Sequence, residues 1–167
     1  VTVQGILDYF RRWTDDRTGL IQYDPRYWLF LDWNDLQKEG EPALLSLWLL
    51  YTLQKLQALF EATSSVDPFD GLEEWIESIA GSIVQHLLNE EGLVVDGLDD
   101  DLKPSGKTSI HCQTLAWLCD LQGFQRERAL EHVFLPWLRT DVVTHARPSA
   151  YWAAYPLDLL AAEGYGS

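Results

Sequence analysis

The chain has 167 residues, enough for one domain whose core buries roughly two thirds of the unfolded surface. With 47% hydrophobic residues and eight tryptophans, we expect it to be folded rather than disordered. The 26 Asp and Glu residues against 12 Lys and Arg give a formal charge of -14, so nucleic acid and anionic membranes are not expected partners.

The first predicted helix spans residues 3–13. Its apolar residues recur three or four positions apart, so they lie on one face that must pack against another element. They are Val3, Ile6, Phe10 and Trp13. The second predicted helix, residues 42–62, is apolar on every side except one narrow polar line, so other elements must cover it. Ser46 and Thr52 interrupt its longest apolar run well short of the roughly 20 residues that cross a bilayer, so we expect no transmembrane segment.

The third predicted helix, residues 72–88, is again one-faced. The fourth, residues 109–121, is apolar on most sides and must be covered like the second. Thr108 or Ser109 is suited to cap its start, and Gly123 is suited to end it.

Two cysteines lie on the fourth predicted helix. Cys112 and Cys119 are seven positions apart, about 10 Å along the helix axis, which is too far for a disulfide between them. No CxxC motif or second ligand cluster accompanies them. We therefore expect two small buried side chains, no metal site and no cofactor.

The fifth predicted helix spans residues 129–138, and Pro136 should kink it or end it early. Ser149 is suited to cap a sixth helix over residues 149–164, in which Pro156 is an internal break. No strand-like alternation persists anywhere in the chain. The predicted fold class is therefore all-α.

The six helices alternate between one-faced and covered, as helical hairpins in a double-layered ring require. Long connections precede the second, fourth and sixth helices, at residues 14–41, 89–108 and 140–149. In antiparallel hairpins these connections fall on one side of the domain. Since loops held by a rigid scaffold are where binding and catalysis concentrate, we predict that this side is the functional face.

The first long connection carries the clearest candidate site. Tyr27, Trp28, Phe30 and Trp33 flank the carboxylate of Asp32. An aromatic face packs against the C–H face of a sugar ring, and a carboxylate accepts hydrogen bonds from hydroxyl groups, so the pattern favours a sugar site. The alternative is a loop that fills the core with its aromatic rings while Asp32 caps a turn.

The other connections offer fewer candidates. The acidic run from Asp96 to Asp101 does not have the spacing of a calcium loop and is interpreted as a solvated loop. His111 lies in the first turn of the fourth helix, where it either faces the pocket or is a structural histidine. Arg147 and Trp152 lie on the same predicted face, where the arginine could instead hold the loop and the tryptophan could belong to the core.

Five short motifs follow one another along the chain. They are Gly19-Leu20-Ile21, Trp28-Leu29-Phe30-Leu31-Asp32-Trp33, Gly92-Leu93, Ser109-x-His111-x-Gln113 and Pro148-Ser149-x-Tyr151-Trp152. In order and spacing this succession resembles the six-hairpin catalytic domain of bacterial α-L-rhamnosidases, glycoside hydrolases of family 78. The Trp-x-Phe-x-Asp-Trp element is its most specific part, and the rest is shared with other α/α-toroid glycosidases.

The resemblance implies an α/α toroid, of which residues 1–167 form about half as a partial glycosidase-like domain. It also implies inverting hydrolysis of a terminal glycoside by a general acid and a general base. In the family these carboxylates belong to a motif upstream of the Trp-x-Phe-x-Asp-Trp element and to a Glu beyond the last hairpin, and neither motif is present here. The catalytic residues are therefore unknown, and this chain alone is expected to lack glycosidase activity.

By the resemblance, Asp32 and Trp33 contact the sugar with Trp28 beside them, and His111 and Trp152 line the pocket. The leading interpretation is a fragment of such an enzyme, whose remainder, or a second copy of the chain, covers its open ends. One alternative is a non-catalytic helical-hairpin module that binds carbohydrate or protein. Another is a different toroid enzyme, glucoamylase-like or uronidase-like. The sequence does not decide localisation, with the cytoplasm favoured slightly over secretion.

Overall fold

The computed structural model describes residues 2–63, 69, 71–139 and 146–165. The helices in these residues are α1 (Thr2–Arg12), α2 (Ala43–Thr63), α3 (Leu72–Leu87), α4 (Ile110–Leu118), α5 (Arg126–Ala129, a π-helical turn at Leu130–Phe134, and Leu135–Arg139) and α6 (Ala154–Ala162). Two short strands, β1 (Glu41–Pro42) and β2 (Gly97–Leu98), pair antiparallel. The predicted mostly helical fold is confirmed, and the small sheet was not predicted.

The centre of the fold is formed by α2 and α4. Helix α2 packs against α3 and α4, and α4 packs against α6. Every residue of α4 from Ile110 to Trp117 is buried, as predicted for a covered helix. The buried residues of α2 all lie between Ala43 and Leu53, whereas its second half has none, and Leu59 there is 54% exposed. The prediction that α2 is covered along its whole length was therefore wrong for its C-terminal half.

Judged by length and composition alone, α2 is long and apolar enough to cross a membrane. The sequence-based prediction had excluded this because Ser46 and Thr52 interrupt the apolar run. Ser46 is itself buried, and its hydroxyl accepts a hydrogen bond of 2.9 Å from the backbone N–H of Ile21. Packing against α3 and α4 accounts for the apolar composition of the first half of α2.

Helix α1 presents much of its apolar face to solvent. Leu7 is buried, but Val3 is 46% exposed and Ile6 is 52% exposed, and both had been predicted to pack inward. Phe10 and Trp13 are half-buried. No other described element covers the outer part of this face, which explains the difference from the helical periodicity.

The last helix starts later than its predicted cap. The Ser149 hydroxyl accepts a hydrogen bond from the N–H of Trp152, but this bond closes a turn, and α6 begins only at Ala154. Pro156 therefore lies in the first turn, where a missing N–H has no consequence, and is not an internal break. Helix α6 is one-faced rather than covered, since Leu160 is buried while Leu157 is 47% exposed.

Helix α5 passes through Pro136 without ending. The backbone N–H of Leu135 bonds to the carbonyl of Leu130, five residues earlier, and so forms a π-helical turn just before the proline. In an α-helix the proline ring would clash with the carbonyl four residues earlier. The wider turn relieves that clash, and the helix continues to Arg139.

Helix α4 ends earlier than predicted, because Asp120 rather than Gly123 terminates it. Asp120 has a left-handed backbone with φ of 50°. Its N–H bonds to the carbonyl of Trp117, and the N–H of Leu121 bonds to that of Ala116. These two bonds define a Schellman motif, a helix ending in which asparagine or aspartate can replace the usual glycine.

Cys112 lies in α4 and Cys119 at the C-terminal end of this helix. Both are buried and form no disulfide, as predicted. Burial raises the pKa of the Cys119 thiol to about 12. Burial likewise raises the pKa of Cys112. Both thiols therefore stay protonated and unreactive at neutral pH.

Gly40 allows the sheet to approach the first connection closely. Its φ is 67°, and a Cβ atom there would lie 2.3 Å from the carbonyl oxygen of Leu98. We expect Gly40→Ala to lower the free energy of unfolding by more than about 2 kcal/mol, because left-handed strain of about 1–2 kcal/mol adds to this backbone clash. Urea unfolding measures the change.

The matched control is Gly81→Ala, in the interior of α3, where nothing lies within 4 Å of an added Cβ. That change should stabilise the protein by about 0.5–1 kcal/mol, since alanine is the better helix former. Equal effects at Gly40 and Gly81 would contradict the close approach at Gly40.

Candidate functional site

The described parts of the three long connections meet at one end of the fold. In the sheet, Glu41 at the end of the first connection pairs with Leu98 of the second. Ser109, at the end of the second, forms a parallel bridge with Ala146 of the third. The third connection returns to the first, because the N–H of Ser149 donates to a carboxylate there. The described parts of the three connections therefore lie together, as the hairpin argument predicted.

Asp32 lies at the junction of these segments. Its Oδ2 atom accepts a hydrogen bond of 2.7 Å from the backbone N–H of Ser149. The same oxygen lies 2.8 Å from Nε2 of His111, in the first turn of α4. Asn34 adds a further link, because its side-chain amide donates to the backbone carbonyl of Arg147. A single carboxylate thus connects the first and third connections to α4.

The pKa values of Asp32 and His111 both lie below their ordinary values. Burial alone would raise the pKa of Asp32, but hydrogen bonds from Ser149 and His111 outweigh it and hold the pKa below its ordinary value. Burial lowers the pKa of His111, and the nearby Asp32 offsets only part of that effect. At neutral pH a neutral imidazole therefore donates its Nε2 proton to an ionised carboxylate.

Trp152 packs directly on this pair. Its ring centroid lies 4.3 Å from that of His111. The ring also contacts Tyr155 of α6 at 5.1 Å and Trp48 of α2 at 6.1 Å. Asp32, His111 and Trp152 are each at most 4% exposed. Their burial means that they form an internal support, because a ligand on the surface does not reach them.

Outside this support the first connection forms an aromatic ridge made of Trp28, Phe30 and Trp33. Adjacent ring centroids lie 5.4 Å and 5.0 Å apart. Trp28 and Trp33 are each 79% exposed and Phe30 is 42% exposed. Single exposed apolar residues are common, but three contiguous aromatic rings form a patch that typically marks a binding surface.

A cleft of about 190 Å³ adjoins the ridge. It lies between α1 and the first connection, and its walls include Tyr9, Tyr27 and Trp28. Asp24 also lines it, where Nη2 of Arg26 donates to this carboxylate at 2.8 Å. The cleft therefore joins aromatic surface to a hydrogen-bonding carboxylate.

The five residues proposed from sequence fall into two groups. Asp32, His111 and Trp152 are in contact and buried, whereas Trp28 and Trp33 are exposed on the ridge. Only the second group is accessible to a ligand in the described conformation.

Gln113 is part of the Ser109-x-His111-x-Gln113 motif, but no role was predicted for it from the sequence. Its side-chain amide donates to the Val94 carbonyl at 2.7 Å, and its carbonyl accepts from the Val94 N–H at 2.9 Å. Gln113 has no exposed surface. An amide side chain within a mostly apolar, covered helix is the sequence signal that could have identified it, since buried amides need partners.

Asp96 was predicted to belong to a solvated acidic loop, and that prediction was wrong. Asp99, Asp100 and Asp101 are exposed, but Asp96 is 2% exposed. Its backbone explains this placement, since its carbonyl accepts from Ala43 at the start of α2. Burial raises the pKa of Asp96, and the nearby Ser109 and Cys112 offset only part of that effect. In the described part of the chain no group of three or more His, Cys, Asp or Glu residues is arranged to hold a metal ion.

The fold is mostly helical. It is similar to the crystal structure of a GH78 family rhamnosidase of Bacillus sp. GL1, with a TM-score of 0.75 and 23% sequence identity over 95% of this chain. The chain spans 16% of that rhamnosidase chain. No protein-family model matches the sequence, and no curated protein matches it in a sequence comparison.

Proposed function

We propose that this chain is part of a glycoside hydrolase resembling α-L-rhamnosidases, and that its aromatic ridge contacts the carbohydrate substrate. The observation that carries the proposal is the exposure of Trp28 and Trp33, each 79%, on a fold like that of a GH78 rhamnosidase. Exposed indole rings bury the C–H face of a sugar, and Asp24 in the adjoining cleft accepts hydrogen bonds from hydroxyls.

In this proposal the internal support positions the ridge rather than contacting the sugar. Asp32 directly precedes Trp33 in the chain. Its hydrogen bonds with His111 and Ser149 fix the backbone from which the ridge projects. Preorganising an aromatic surface avoids the entropic cost of ordering it when a ligand binds. The role proposed for Asp32, His111 and Trp152 therefore changes from substrate contact to positioning.

We also propose that the six helices are three hairpins of a larger α/α toroid. The exposed apolar residues of α1 and α6, including Ile6 at 52% and Leu157 at 47%, support this proposal. Adjacent hairpins in a ring would cover such faces. General acid and base groups supplied by other parts of the ring would complete inverting hydrolysis.

A non-catalytic carbohydrate-binding module is the second candidate. Two buried carboxylates of the first connection, those of Asp24 and Asp32, favour it because both are engaged. Asp24 bonds Arg26, and Asp32 bonds Ser149 and His111. A general acid or base must instead be free to exchange a proton with the substrate.

Calorimetric titration with a rhamnose-containing oligosaccharide tests the ridge. We expect Trp28→Ala and Trp33→Ala each to weaken binding at least about tenfold, since each removes one stacking ring of roughly 1.4 kcal/mol. Tyr165→Ala, an exposed aromatic beyond α6, is the control and should bind normally.

Unchanged affinity in both tryptophan variants would refute the ridge as the sugar surface. Hydrolysis of an aryl rhamnoside by the intact protein, compared with binding alone, separates the enzyme from the binding module. The 167-residue chain by itself should bind without turnover.

A further inference from the structure

A second cleft, of about 470 Å³, lies next to the cleft beside the aromatic ridge. Gln22 and Tyr23 line both clefts, so this short segment of the first connection is common to their walls. Trp28 of the ridge lines the smaller cleft. The ridge, the smaller cleft and the larger cleft therefore adjoin one another in that order.

The volumes of the two clefts indicate how a ligand would occupy them. Ligand pockets commonly measure about 300–1,000 Å³. The smaller cleft, at about 190 Å³, is below this range, so it holds only part of a ligand. The larger cleft, at about 470 Å³, falls within the range and has room for a further unit of the same ligand.

Backbone hydrogen bonds hold the walls of the larger cleft in place. The Tyr23 N–H donates to the Gly40 carbonyl at 2.8 Å, which joins the first connection to the residue before β1. Strand β1 pairs with β2, and the turn after β2 is closed by a bond of 2.9 Å from the Leu102 N–H to the Asp99 carbonyl. The cleft is therefore preorganised, and a ligand that enters it does not have to order these segments.

One buried carboxylate, that of Asp15, orients two polar residues of this cleft. Nη2 of Arg17 donates to Asp15 at 2.6 Å, and the side-chain amide of Gln22 donates to the same carboxylate. The Arg17 side chain is 64% exposed, whereas that of Asp15 is 4% exposed. The charge of Arg17 is therefore largely balanced from within the protein, and it brings little net positive charge to the cleft.

The other charged residues that line the larger cleft are acidic. Glu39, Asp99 and Asp100 are exposed there. Glu41 also lines the cleft but is only 2% exposed. Its Oε2 atom accepts from the Thr18 hydroxyl at 2.9 Å, whereas its Oε1 atom has no donor among the described residues. A carboxylate short of donors, among like charges, favours ligands that donate hydrogen bonds and disfavours anions.

We propose that the larger cleft is a further sugar subsite, which accepts a neutral or amino-bearing unit of an oligosaccharide and selects against a uronate. This inference rests on the proposed function, because the ridge and the smaller cleft hold the adjoining units. Hydroxyl and ammonium groups supply donors that the exposed carboxylates accept. The carboxylate of a uronate is repelled by them, and the chain's formal charge of -14 adds to that repulsion.

Calorimetric titration of the purified protein tests the subsite with two rhamnose-containing tetrasaccharides. They differ in one end unit, glucose in the first and glucuronate in the second, and this unit is placed at each end in turn. At low ionic strength the neutral tetrasaccharide should bind about fivefold to tenfold more tightly than the acidic one. In about 1 M salt, which screens exposed charges over about 3 Å, the difference should shrink.

The matching neutral disaccharide shows whether the larger cleft is occupied at all. It fills only the ridge and the smaller cleft, so it should bind more weakly than the neutral tetrasaccharide. Since this comparison uses the wild type, it does not depend on a variant that folds.

Charge reversal in the cleft wall tests whether the discrimination is local. The double variant Glu39→Lys with Asp100→Lys should bind the acidic tetrasaccharide at least as tightly as the neutral one. Its control, Glu77→Lys with Glu90→Lys, changes the net charge equally at positions outside both clefts and should retain the wild-type preference. All four positions are exposed, so both double variants are expected to fold.

Three results would overturn the subsite and leave the proposed function intact, so long as Trp28→Ala still weakens binding of the disaccharide. They are a neutral tetrasaccharide that binds no more tightly than the disaccharide, an acidic tetrasaccharide that binds as tightly as the neutral one, and a control variant that reverses the preference as the cleft variant does. If the disaccharide does not bind, the proposed function itself fails and the subsite fails with it.

Discussion

Asp32→Ala is expected to lower the free energy of unfolding by about 2–6 kcal/mol, because it leaves two buried hydrogen-bond donors unsatisfied at about 1–3 kcal/mol each. The change leaves the Ser149 N–H and the His111 Nε2–H without an acceptor, in a region where water does not replace it. Asp32→Asn retains one acceptor and should cost less, about 1–3 kcal/mol. Urea unfolding measures both changes.

The pH dependence provides an independent check on Asp32. Its pKa in the folded protein lies below the ordinary 3.8, so its stabilisation is complete above pH 3.8 and declines as pH falls below that value. The gap in stability between the wild type and Asp32→Ala should narrow in acid. A gap that stays constant down to pH 2 would mean that the lost contribution is packing and not the hydrogen-bonded charge.

Replacing Gln113 is expected to have a comparable effect. Gln113→Leu keeps the volume but leaves both the N–H and the carbonyl of Val94 unpaired in the core, at about 1–3 kcal/mol for each group. We expect a loss of about 2–6 kcal/mol in urea unfolding. The control is Gln85→Leu, at an exposed position of α3, which should change stability by less than about 0.5 kcal/mol.

Gln113→Glu distinguishes hydrogen bonding from filling of space. The glutamate accepts from the Val94 N–H but, when ionised, cannot donate to the Val94 carbonyl. Once protonated it again offers one donor, and burial disfavours its charged form. The variant should therefore gain stability relative to the wild type as pH is lowered, and a pH-independent difference would argue against the paired amide.

The sequence predicted the positions of the helices better than the burial of their faces. Periodicity located α1 to α4 because a 3.6-residue pattern is written in the residues themselves. It could not locate the start of α6, since the Ser149 hydroxyl caps a turn with the same bond that caps a helix. Nor could it foresee that Ile6 is exposed, because exposure depends on which other elements are present.

The candidate site was predicted in part. The hairpin argument brought Asp32 and His111 to the same end although 79 residues separate them, and the structure places them in contact. Their burial was only one of the alternatives that the sequence left open, because it depends on Trp152 packing over them. Asp96 was misjudged because an acidic run is typical of a solvated loop, whereas backbone hydrogen bonds to Ala43 and Lys107 hold this member of the run inside the fold.

The π-helical turn of α5 has a consequence for how this segment changes in evolution. A turn closed by a bond from Leu135 to Leu130 holds one residue more than an α-helical turn, so it is equivalent to a single-residue insertion. Deleting that residue would restore ordinary helical bonding and bring the ring of Pro136 against a carbonyl again. Deletion of the extra residue is therefore compatible with a continuous helix only after the proline has been lost, whereas loss of the proline alone leaves the turn intact.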